Sequence, residues 1–172
     1  MTIATATATR GPKSGLIVVG ISECKISNER DSTLITYSLG SCLGVAIHDP
    51  VLCIGGLIHC MLPLAKASPE KAAANPYMFV DTGVVALLNS MFAMGSQKED
   101  LVVKVAGAAQ FVTGSDRFKI GQRNYTVARK LMWKNDLLIT AEDTGRTIPR
   151  TMCLGVTTGE TIIKSLGKEA RL

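Results

Sequence analysis

Residues 34–61 read LITYSLGSCLGVAIHDPVLCIGGLIHCM. Asp49 is the only charged residue between Asp31 and Lys66, so the stretch is apolar enough to raise the question of a membrane span. It fails that test. His48-Asp49-Pro50 splits it, Gly40, Gly44, Gly55, Gly56 and Pro63 punctuate it, and no apolar run reaches the roughly 20 residues that a spanning helix needs. Short apolar runs bounded by turn residues read instead as strands buried on both faces. Residues 43–48 and 54–61 flank the turn Asp49-Pro50-Val51-Leu52 and predict a hairpin. Residues 34–38 predict the strand before it, which leads into Leu39-Gly40-Ser41-Cys42.

Pairing across this hairpin brings chemistry together. If Ile47 faces Ile54, Cys42 faces His59; a slip of one residue puts Cys60 there instead. Gly40 and Ser41, two small residues before the thiol, let the chain turn tightly and leave backbone N–H groups open to an oxyanion. A thiol in contact with an imidazole forms a thiolate–imidazolium pair, and the imidazole then protonates a leaving group. A third group commonly orients the imidazole. Thr36, on the preceding strand, is the candidate. The same residues admit a plainer reading, in which Cys42 is a small apolar core residue and His59 a hydrogen-bonded core histidine.

The rest of the chain predicts strands at 16–21, 101–106, 137–141, 151–156 and 161–165, the last two joined by residues 157–160. Residues 63–77 read as a loop, either a flap or a plain connection. Asp81-Thr82 predicts the cap of a helix ending near Gly95, with Val84, Leu87, Leu88, Met91 and Phe92 on its apolar face. Residues 107–120 are irregular, with a turn at 114–116. A second helix over 122–134 has Tyr125, Ala128, Leu131 and Met132 on one face and Arg123, Lys130 and Lys134 opposite. Arg117 to Lys134 carries basic residues and no acid, which suits a solvated face or an acidic partner. Glu142-Asp143 and Asp143-Thr144-Gly145 read as turn chemistry rather than an acid pair. Strands, helix, strand, helix, strands is an α+β order, which predicts packed, mostly antiparallel sheets flanked by helices.

At 172 residues, with 47% hydrophobic and 19% charged side chains, the chain predicts one domain over residues 15–172. Residues 1–14, Thr/Ala-rich with Arg10 and Lys13 and no apolar core segment, predict a disordered tail and not a signal peptide. A net charge of +5 with one Trp, three Tyr and four Phe gives little basis for nucleic-acid binding. Five cysteines, Cys24, Cys42, Cys53, Cys60 and Cys153, with no C-x-x-C pair, predict a reduced, cytoplasmic protein, with Cys53 and Cys60 filling space and Cys24 at a strand end. His48 and His59 are the only imidazoles and show no ligand spacing, so neither a metal nor a cofactor is expected.

Thr36-Tyr-Ser-Leu-Gly-Ser-Cys42, Asp49-Pro50 and Gly55-Gly-Leu-Ile-His-Cys-Met-Leu-Pro63 together resemble the CheD family, the chemoreceptor glutamine deamidases of bacterial and archaeal chemotaxis. The resemblance continues through Ile120-Gly-Gln-Arg-Asn124, Asp143-Thr-Gly145, Pro149-Arg150 and Thr158-Gly159, and so covers roughly residues 15–164. It implies an α+β fold related to a toxin deamidase. It also implies a triad of Cys42 as nucleophile, His59 as base and Thr36 as third member, acting through a thioester on receptor glutamines. The implied partners are the cytoplasmic helical region of chemoreceptors, with recruitment to receptor arrays, and a CheC-type phosphatase. The alternative it leaves is a non-catalytic module that regulates such a phosphatase. Ser38 stands where the family often has Gly, Arg146 where a second glycine is usual, and Ala106-Gly-Ala-Ala-Gln-Phe111 where the family has Gly-Gly-Ala-x-Met, a stretch that bears on receptor selectivity.

Overall fold

The computed structural model describes residues 15–110 and 118–172; the expected tail at 1–14 and turn at 114–116 lie outside them. Two five-stranded sheets pack face to face. The first has the order β1-β3-β8-β9-β10 and the second β2-β5-β4-β6-β7. In the first, β1 is Leu16–Val18, β3 Thr33–Leu39, β8 Arg150–Gly155, β9 Thr161–Ser165 and β10 Lys168–Arg171. In the second, β2 is Cys24–Ser27, β4 Leu43–Asp49, β5 Ile54–Cys60, β6 Val102–Gly107 and β7 Ile139–Thr144. Among the ten described strands, only β1–β3 and β6–β7 pair in parallel, so the expected α+β architecture with mostly antiparallel sheets and flanking helices is the observed one.

The second sheet is covered on both faces, which is why β4 and β5 are buried at every position. Val45, Ile47, Ile58 and Cys60 face the helices α2 (Val80–Ala93) and α3 (Ile120–Lys134), against Val84, Leu87, Met91, Ala128 and Met132. Ala46 and Leu57, one residue out of phase, face the first sheet, against Leu34, Leu39, Met152 and Leu154. This is the period-2 alternation of a pleated strand with an apolar layer on each side.

Several local expectations are corrected. The first strand is three residues at a sheet edge, with Leu16 and Val18 exposed rather than buried. Residues 63–77 contain a short helix, α1 (Pro69–Ala74), and are tied down: Asn75 Nδ2 donates to Ser22 O, and Thr82 Oγ1 donates to Pro76 O. Asp81 is inside the first turn of α2, behind Phe79 at the cap position; its carboxylate accepts the Ala65 N–H and the N–H of its neighbour Thr82. Phe92 is exposed, and Cys53 is partly exposed in the hairpin loop. Asp143 and Thr144 extend β7, and the turn is left to Gly145.

The hairpin register also differs. Leu43 pairs with Cys60, Gly44 with His59 and Asp49 with Ile54, so His59 lies opposite Gly44 and not Cys42. The cause is the turn. Asp49 Oδ1 accepts from both Val51 N and Leu52 N at 2.9 Å, closing an Asx turn that carries pairing right up to Asp49. The shift from the expected pairing is two residues, an even number, so every side chain keeps its face.

Candidate active site

The end of the second sheet away from that turn gathers residues from both sheets. His59 lies on β5, flanked by β2 and β4, and is fully buried. Its Nδ1 is 2.8 Å from Oγ1 of Thr36, which reaches across from β3 of the first sheet. Its Nε2 is buried with no hydrogen-bond partner among the described residues. Buried polar atoms are nearly always paired, so a free ring nitrogen here needs a reason.

Cys42 immediately precedes β4 and packs against the inter-sheet cluster. With His59 opposite Gly44, Cys42 is its diagonal neighbour, two residues along and on the same face. Gly44 cannot carry a side chain: a Cβ there would lie 2.8 Å from Leu39 and 3.2 Å from Met152 Sδ. The thiol is half-buried and makes no hydrogen bond to the ring.

The turn before Cys42 is held by its carbonyls. Gly40 O accepts from Ala109 N at 2.8 Å, Cys42 O from Ala108 N at 2.7 Å, and Ser41 O from Asn124 Nδ2 at 3.0 Å. Gly107 makes this approach feasible, since it has φ +100° and a Cβ there would lie 2.4 Å from Cys42 O. Behind it, the buried Arg150 guanidinium donates to Gly145 O, Ile148 O and Asp143. Burial works against the Asp143 carboxylate, but Arg150 and Arg146 outweigh it and hold its carboxyl below the usual range. One expectation is corrected: the Gly40 N–H donates to Ser38 O and is not available to an oxyanion. The N–H groups of Ser41 and Cys42 donate to no oxygen among the described residues.

Burial disfavours both ionic forms of the expected pair. It pushes the Cys42 thiol up, against a smaller pull from its own backbone N–H, and pushes His59 down to about 4. Burial therefore favours the neutral form of each group. Burial likewise raises Cys24, to about 12, and Cys60 and Cys153, so acidity does not single out Cys42. Cys42 differs from them in lying diagonal to His59 on the same sheet face.

Asn124, on α3, was not singled out as a site residue by its sequence. The signal is in the sequence: at helical spacing it shares the buried face of α3 with Ala128 and Met132, a polar residue in an apolar stripe. Arg123, Lys130 and Lys134 are exposed on α3. Lys130 borders a groove of about 620 Å³ between α3 and β7, together with Trp133 and Leu138, while Arg123 and Lys134 lie outside it. Cys42, His59 and Thr36 do not line this groove. Among the described residues, no group of three or more His, Cys, Asp or Glu side chains is placed to hold a metal ion, and no helix is long and apolar enough to cross a membrane.

Residues 61–165 match the family model described as CheD chemotactic sensory transduction. The chain belongs to the CheD family. It is 44% identical over 157 residues to the probable chemoreceptor glutamine deamidase CheD 1 of Syntrophus aciditrophicus (strain SB), covering 91% of this chain and 98% of that one. To the probable chemoreceptor glutamine deamidase CheD of Solibacter usitatus (strain Ellin6076) it is 37% identical over 156 residues, covering 91% and 92%. Among solved structures there is a distant likeness to Bacillus licheniformis hypothetical protein YfiH, with a TM-score of 0.43 at 14% identity, covering 70% of this chain and 49% of that one.

Proposed function

We propose that this protein is a chemoreceptor glutamine deamidase that hydrolyses glutamine side chains to glutamate and ammonia through Cys42, His59 and Thr36. The relatives' names supply the reaction. The observation that carries the residue assignment is the pairing of His59 Nδ1 with Thr36, which leaves a buried, unpartnered Nε2 on the sheet face that Cys42 shares.

His59 donates Nδ1–H to Thr36, so Nε2 carries the lone pair. As Cys42 Sγ bonds to the carboxamide carbon, its proton passes to Nε2, and the resulting imidazolium protonates the departing nitrogen. Ammonia leaves and a thioester remains. Water, deprotonated by Nε2, then adds to the thioester carbon; the C–S bond breaks, the thiol regains its proton, and glutamate is released. Starting from a neutral pair couples ionisation to attack, since burial makes a standing ion pair unfavourable. The free N–H groups of Ser41 and Cys42 are the donors for the developing oxyanion.

The substrate region is the cytoplasmic helical part of a receptor, which brings the enzyme to receptor arrays. The basic face of α3 suits an acidic helical surface, and a CheC-type phosphatase presenting such a surface would compete with substrate. A purely binding role gives no reason for an unpartnered buried ring nitrogen on the sheet face that Cys42 shares. Purified protein incubated with a receptor cytoplasmic fragment should release ammonia and convert specific glutamines to glutamate by peptide mass spectrometry. Cys42→Ala and a folded Cys42→Ser should do neither. No conversion by wild type refutes the enzymatic reading; full conversion by Cys42→Ser refutes the nucleophile.

A further inference from the structure

The ladder between β4 and β5 stops at Leu43–Cys60, and the next pair, Cys42 with Met61, does not form. Met61 N turns away to Met78 O, so β5 leaves its partner at the position where the nucleophile turn begins. One side chain spans the opening. Asn124 is fully buried, and its Nδ2 donates at 3.0 Å both to Ser41 O and to Met61 O. Both partners are carbonyls, which fixes the amide orientation, because only the NH₂ end can serve two acceptors.

Ser41 is one residue before Cys42, and Met61 is two residues after His59. A single amide therefore ties the segment carrying the thiol to the strand carrying the ring, at the point where sheet pairing no longer does so. We infer that Asn124 is a positioning residue, which clamps the nucleophile turn against the end of β5 and thereby sets the separation of Cys42 Sγ from His59 Nε2. The inference rests on the reading of Cys42 and His59 as the reacting pair. Helix α3 can supply the clamp because its first turn is pressed onto the chain after β6: a Cβ at Gly121 would lie 2.4 Å from Ala109 O.

Without the two hydrogen bonds, residues 40–42 keep their ties to Ala108 N and Ala109 N but lose the one to the end of β5, so the turn can shift relative to that strand. Proton transfer from sulfur to nitrogen is steeply sensitive to separation, and displacement by about 1 Å can cost on the order of 100-fold in rate. The same shift brings the half-buried thiol into water and relieves the burial that raises its pKa. The two consequences run in opposite directions, which a general weakening of the fold does not imitate.

Asn124→Ala should lower kcat for receptor deamidation about tenfold or more while KM stays within about twofold. In the same protein, the pH profile of Cys42 alkylation by iodoacetamide, followed peptide by peptide, should move down toward the ordinary cysteine range. Cys53, at the far end of the hairpin, and Cys153, in the other sheet, should keep their wild-type profiles. Asn124→Asp, nearly the same shape but unable to donate to two carbonyls, should do the same and serves if the alanine variant does not fold. The inference is overturned if a folded variant leaves kcat and the Cys42 profile unchanged. It is equally overturned if Cys53 and Cys153 move together with Cys42. The alkylation needs no receptor, so it decides the clamp even if the deamidase reading fails.

Discussion

Thr36 Oγ1 and His59 Nδ1 lie 2.8 Å apart, one on each of the two packed sheets, and both side chains are fully buried. The contact crosses the inter-sheet layer, so it holds the imidazole against a second rigid element as well as its own strand. Thr36→Val keeps the shape and removes the hydroxyl. It should leave Nδ1 unpaired, lower stability by about 1–3 kcal/mol and reduce deamidation by up to ~100-fold. Thr36→Ser, which retains the hydroxyl, should stay close to wild type in turnover. Chemical denaturation and turnover check both; equal loss in the two variants would sink the orienting role.

Acid should weaken the protein partly through His59. Its folded pKa, about 4, lies below the ordinary histidine value of 6.5. Between those limits the unfolded chain takes up a proton that the folded chain refuses, so this contribution is fully present above pH 6.5. It is lost as pH falls toward 4, with a slope approaching ~1.4 kcal/mol per pH unit. Burial also lowers His48, which adds in the same sense. Urea unfolding from pH 7 to 4.5 should show a shallower acid dependence in His59→Asn than in wild type. Parallel curves would mean that His59 is protonated in the folded state.

Ser38 sits in the irregularity of β3 between Thr36 and Leu39, with φ +58°. This is the left-handed region, which costs a residue with a Cβ about 1 kcal/mol or more and glycine almost nothing. Ser38→Gly should therefore raise stability by about 0.5–1 kcal/mol, less the extra freedom glycine has in the unfolded chain. Arg146, at φ +56°, and Ala108, at φ +52°, likewise stand where the family pattern has glycine, and Arg146 pairs with Asp143. Thermal or urea unfolding of Ser38→Gly decides it, and a loss of stability would rule this account out.

Arg123 is next to the clamp residue Asn124, whereas Lys134 lies about 16 Å further along the α3 axis. The three cations thus form a track leading away from the site and make no salt bridge among the described residues. Replacing Arg123, Lys130 and Lys134 with Glu should slow association with a receptor fragment and flatten its salt dependence, while Cys42 alkylation stays as in wild type. Stopped-flow binding at two ionic strengths is the measurement. An unaltered salt response would reduce the track to a solvated helix face.

Much of this was settled by local chemistry in the chain. Apolar runs broken by Asp49-Pro50 and by glycines dictate short buried strands and a hairpin, because strand pairing between neighbours in sequence needs only a turn. The same period of two puts Cys42 and His59 on one face under any even register, so a two-residue shift in pairing leaves them on that face. The exact register was decided by Asp49 closing the turn on Val51 and Leu52, a choice among nearly equivalent hairpins that side-chain pattern does not rank. What the tertiary structure alone decided lies between elements distant in the chain. The inter-sheet packing brings Thr36 to His59, and α3 brings Asn124 to Ser41 and Met61. Those contacts depend on which layers stack and how closely, and that is set by the packing of both cores at once rather than by any segment's own pattern.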